Sequence, residues 1–74
     1  MLPQYLVAHL LELLAKDPRT NLLDARVRVV GNRVFITGSV EAPRLRASAE
    51  EVMREVVPPG MEIVNELCVV TYAP

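Results

Sequence analysis

Leucine recurs at helical spacing along the first sixteen residues. At about 100° per residue, Leu2, Leu6, Leu10 and Leu13 form one stripe, and Val7, Leu11 and Leu14 widen it to roughly half the circumference. Gln4, Tyr5, Ala8, His9, Glu12 and Lys16 fill the remainder. The pattern predicts a helix over 3–16. Pro3 suits its first turn, where an N–H would be unpaired anyway. Asp17-Pro18 stops it, because proline cannot continue a helix and turns the residue before it away from helical angles. Residues 17–24 then read as a polar connection, with Leu22 and Leu23 expected against the helix.

The period next shortens to two. Residues 26–30 and 33–37 alternate as strands do, with Val27, Val29, Val34 and Ile36 on one face and Arg26, Arg28, Phe35 and Thr37 on the other. Gly31-Asn32 lies between them, and both residues tolerate the positive φ of a two-residue primed hairpin turn. Gly38 is expected to end the second strand, and residues 39–42 lead to Pro43, again suited to an early helical position. Residues 43–57 return to helical spacing. Leu45, Ala49, Val52, Met53 and Val56 line one side, and Glu50 and Arg54 pair at i,i+4 on the other. Pro58-Pro59-Gly60 ends this helix. Residues 62–72 read as a third strand, with Leu67 and Val69 on one parity and Glu66, Cys68 and Val70 on the other. Asn65 shares the parity of Leu67. Either it is buried and hydrogen-bonded, or a bulge turns Val64 inward instead.

The predicted order is thus α-β-β-α-β. Two amphipathic helices and one apolar sheet face are most economically buried against each other in two layers. The expected fold is α+β, an αββαβ two-layer sandwich whose three-stranded mixed sheet carries both helices on one face. The strand order is 1-2-3, with strands two and three parallel through a right-handed crossover. Residues 1–74 read as a single domain without repeat, linker or low-complexity segment.

Composition narrows the function. Hydrophobic residues make up 51% and charged residues 23%, a balance that favours folding over disorder. Eight basic against nine acidic residues leave a net charge of −1, which removes bulk electrostatics as a reason to bind nucleic acid or an anionic bilayer. A lone Cys68 excludes an intrachain disulfide and a multi-cysteine zinc site, and a lone His9 excludes any scheme needing two histidines. No phosphate-cradling glycine loop, metal set or nucleophile with a paired base is present, so neither cofactor nor catalysis is expected. The start of the chain lacks the basic region and unbroken apolar core of a signal peptide. Its apolar stretch falls short of the ~20 residues that span a bilayer. The expectation is a soluble cytoplasmic protein.

Two segments carry a family resemblance. Val34-Phe35-Ile36-Thr37-Gly38-Ser39-Val40 follows an apolar-x-apolar-x-Gly-x-Val pattern, and Val64-Asn65-Glu66-Leu67-Cys68-Val69 follows Val-Asn-x-Leu-x-Val. In this spacing and element order the chain resembles the BON domain family over about residues 4–70, with Gly38, Val40, Asn65 and Leu67 as motif residues and Arg46 at a position where the family often has arginine. The resemblance implies the αββαβ fold and a non-catalytic module. It further implies association with phospholipid or the cell envelope, or a role in holding assemblies together.

Individual residues read more simply as structural than as chemical. Gly38 serves as a backbone device and Asn65 as a side chain that fixes the start of the third strand. His9 reads as a solvated ring and Cys68 as a small hydrophobe. Two surfaces have more content. The uncovered sheet face would show Arg26, Arg28, Phe35, Thr37, Glu66, Cys68, Val70 and Tyr72, a mixture of arginine and aromatic residues that protein interfaces favour and that also stacks on bases. Helix 1 offers an edge of Val7, Leu11 and Leu14 that reaches helix 2, a second subunit or a lipid surface. Self-association or another protein is the expected partner, phospholipid the alternative; nucleic acid is disfavoured by the charge balance.

Overall fold

The computed structural model describes residues 3–70. Leu2 and Tyr72, and the end of the predicted third strand beyond Val70, lie outside them. The elements are α1 (Pro3–Lys16), β1 (Arg26–Val30), β2 (Arg33–Val40), α2 (Pro43–Arg54) and β3 (Glu62–Val69). The sheet order is β1-β2-β3, with β1 antiparallel and β3 parallel to β2. Both helices lie on one face, giving the expected two layers. Their common core contains Leu6, Leu10 and Leu14 of α1, Val34, Ile36 and Val40 of β2, Ala49, Val52 and Met53 of α2, and Leu67 of β3. Val27, Val29 and Ile63 flank it on the edge strands.

The hairpin follows from its turn. Val30 pairs with Arg33, so the loop is the two residues Gly31 and Asn32. Only Gly31 takes positive φ (60°), which is the pattern of a type II′ turn with glycine at the first central position.

Four boundaries and orientations differ from expectation. First, β2 does not stop at Gly38 but runs through it to Val40, which is buried. Gly38 has φ 144°, and a Cβ there would stand 3.4 Å from Ala25 Cα and 3.5 Å from Asp24 O. The glycine thus lets the strand continue where the approach to β1 crosses it, rather than terminating it. Second, α2 ends at Arg54 rather than at residue 57. Pro58 biases Val57 against helical angles, so the last turn tightens, with both Val56 and Val57 donating to Met53 O. Third, Leu23 is 77% exposed; only Leu22 packs on the core. Leu22 N donates to Leu14 O and Asn21 takes φ 48°, and this reversal turns the next side chain outward. Fourth, the buried stripe of α1 is Leu6-Leu10-Leu14, with Leu13 at its flank. Leu14 is fully buried, so it belongs to the core and not to a contact edge.

Candidate interaction surface

Among the described residues, none covers the side of the sheet away from the helices. The register arranges it in rows across the strands: Val30–Arg33–Glu62, Arg28–Phe35–Val64, Arg26–Thr37–Glu66 and Ser39–Cys68, with Val70 following beyond the end of β3. Of the residues expected here, Arg26, Arg28, Phe35, Thr37, Glu66, Cys68 and Val70 are all brought to this side by strand parity. Phe35 and Thr37 are half-buried at the centre, and Arg26, Arg28, Glu66 and Cys68 are exposed. The Arg28 guanidinium lies 4.7 Å from the Phe35 ring centroid, a cation–π contact across the first two strands. Exposed Val30, Arg33 and Glu62 also belong to the face. The same alternation that placed Phe35 outward would have found them.

Charge on this face is sorted by strand. Arg26 and Arg28 stand on β1, Glu62 and Glu66 on β3. Arg33 on β2 pairs with Glu62 (Nε–Oε2 3.2 Å). Among the described residues Arg26, Arg28 and Glu66 join no ion pair. One edge of the face is therefore cationic, the opposite edge anionic and the middle aromatic. An anionic polymer would meet repulsion at the β3 edge.

The free edge of β3 is handled differently. Glu62 N donates to Asn32 O and Val70 N to Val40 O, so even-numbered residues turn their backbone groups to β2 and odd-numbered ones to the open edge. Two of these edge groups are closed off. Asn65 Oδ1 accepts from Leu67 N (3.1 Å), and Arg46 Nη2 donates to Asn65 O (3.1 Å). Asn65 Nδ2 in turn donates to Arg46 O (2.9 Å), tying β3 to α2. Asn65 is thus half-buried and satisfied without a bulge, which resolves the two alternatives its parity left open. Arg46 and Asn65 also line a groove of about 600 Å³ between α2 and β3, together with Glu50, Glu51, Arg54 and Val69. Val69, although of inward parity, is 39% exposed at its rim.

The α1 surface offers less. Val7 and Leu11 are half-buried. Lys16, the cation of this helix, is paired with Glu12 at 2.8 Å. No described helix is long and apolar enough to cross a membrane. At the far end of α1 a cluster forms that had no sequence signal. Arg19 donates to both oxygens of Asp17 and, 36 residues away, to both oxygens of Glu55 just past α2. This guanidinium, with the Arg19 backbone N–H beside it, holds the pKa of the Asp17 carboxyl down to about 2, and the guanidinium also lowers that of Glu55. Buried Thr20 donates its hydroxyl to Leu14 O and so caps the end of α1.

The fold is a small α+β sandwich in which both helices lie on one face of the sheet. The chain belongs to the BON domain family, whose profile matches residues 4–71. That family is one of non-catalytic modules. No curated protein matches the chain.

Proposed function

We propose that this chain is a non-catalytic interaction module that binds another protein surface, including its own, through the open face of its sheet. The observation that carries the reading is the half-buried Phe35 at the centre of that face, held under Arg28 and flanked by charges on both outer strands. Aromatic residues and arginine are the types enriched where protein surfaces meet, and the flanking charges supply orientation. Phospholipid or envelope association, the property the family suggests, finds less support. It would engage Val7 and Leu11 of α1, beside which the helix's own lysine is already neutralised by Glu12. Binding of single-stranded nucleic acid through Phe35 is opposed by Glu62 and Glu66 on the same face.

The test is site-specific photo-crosslinking in the native cell. A photoreactive residue replacing Thr37 on the face should form protein adducts, and one replacing Glu51 on the exposed side of α2 should not. Adducts to lipid from position 11, with none to protein from position 37, would overturn the reading.

A further inference from the structure

The sorting of charge by strand makes the open face complementary to itself. Consider two copies stacked face to face. A twofold axis running along β2, between the two sheets, keeps the strand directions and exchanges left for right. The β1 of one copy then lies over β3 of the other, at the same height. Arg26 of each copy faces Glu66 of the other, because these residues flank the same central residue, Thr37, in one row. Phe35 meets Phe35 on the axis. The other in-plane twofold, across the strands, would lay β1 on β1 and set Arg26 and Arg28 against the same two arginines, which is repulsive. Only the first arrangement sets Arg26 against Glu66 at both edges at once, and the two Arg33 side chains that it brings together on the axis are each paired with Glu62 of their own copy.

We infer that the occupant of the open face is a second copy of this chain, docked about a twofold axis parallel to β2 with reciprocal Arg26–Glu66 contacts. This rests on the reading of the open face as the contact surface. Within one copy Arg26 and Glu66 join no ion pair among the described residues, which leaves them available for it, while Arg28 stays over Phe35 and faces Val64 of the other copy. The face is small: three strands at about 4.8 Å spacing and about 3.3 Å rise give a patch roughly 14 Å by 20 Å. Such an area lies at the transient end of protein contacts, so the dimer is expected to exchange with monomer in the micromolar to millimolar range.

Charge reversal tests the axis. Arg26→Glu brings a new carboxylate against Glu66 of the other copy at both symmetry-related contacts. Glu66→Arg likewise brings a new guanidinium against Arg26 at both. The two substituted positions are exposed, so the variants should keep the wild-type circular dichroism spectrum. In sedimentation equilibrium each variant alone should lose about tenfold or more in dimer affinity, since like charges now face each other at two places. Mixed in equal amounts, the two variants should recover the wild-type affinity as a heterodimer. One of its two contacts then pairs the two introduced side chains and the other pairs the two original ones, so each contact again joins opposite charges. A wild-type chain that stays monomeric at millimolar concentration would overturn the inference, and so would singles that dimerise like wild type or a mixture that does not recover. Should the chain be monomeric while position 37 still crosslinks to a different protein, the open-face reading survives and the self-docking falls.

Discussion

Gly38 and Asn65 show how much a single position can carry. At Gly38 the backbone sits in a region that L side chains rarely adopt, and the space a Cβ would take already touches the backbone of Asp24 and Ala25. Gly38→Ala is therefore expected to cost roughly 1–3 kcal/mol in urea unfolding. A change under about 0.5 kcal/mol would mean the strand relaxes freely there. Asn65→Ala removes both hydrogen bonds of its side chain, the one Oδ1 accepts from Leu67 N and the one Nδ2 donates to Arg46 O, and exposes part of the β3 edge. About 1–2 kcal/mol of stability should go with it. That Gly38 is a backbone device is legible in the sequence, although the alternation sets it at a strand end and the strand runs through it to Val40. What it makes room for is not legible, since Asp24 and Ala25 meet it only through the fold. The parity of Asn65 was likewise legible. The role of its partner Arg46 is not legible there, because their contact spans 19 residues.

At the scale of elements, periodicity located both helices and all three strands, and it missed phase and length where tertiary contacts decide. Spacing alone puts Leu13 in the main stripe of α1 and Leu14 at its widened edge. The helix turns instead to bury Leu14, because the chain reverses at Asn21 and packs Leu22 and Thr20 back onto that turn. Leu10→Ala, at the centre of the buried stripe, should cost about 2–5 kcal/mol, while Leu11→Ala should cost less than half of that, as read by thermal or urea unfolding. The joint between the helix ends predicts an acid response. Asp17 has its folded pKa lowered from 3.8 to about 2, so its stabilising contribution is complete above 3.8 and is lost as pH falls through about 2. Glu55 shifts in the same direction from the same guanidinium. Arg19→Gln removes the guanidinium from both carboxylates and leaves Asp17 only the backbone N–H of residue 19, so its melting temperature should fall less than that of wild type between pH 4 and pH 2. Parallel curves in that window would exclude Arg19 as the cause. No pattern in the chain foretold this joint, because an arginine in a turn and a glutamate after a helix carry no mark of facing each other.

For the molecule as a whole, the decisive property is one-sided covering. Two helices bury Val34, Ile36 and Val40 and leave Phe35 and Thr37, their immediate neighbours in sequence, on the other side. The alternation of residues 33–37 showed this division directly, and the cross-strand register then revealed what alternation could not, the separation of arginine from glutamate across Phe35. Association driven by such edges weakens with salt, because exposed charges are screened within about 10 Å at 0.1 M. The proposed dimer should therefore dissociate progressively between low and molar salt in sedimentation experiments, and a salt-independent affinity would place the contact elsewhere. The most direct measurement of the one-sided architecture is hydroxyl-radical footprinting read by mass spectrometry over a dilution series. In dilute protein Phe35 should be labelled while fully buried Met53 is not, and at high concentration Phe35 should become protected while exposed Tyr5 keeps its reactivity. A Phe35 as inert as Met53 in dilute solution would show that the sheet is covered on both sides, and would contradict the account at its root.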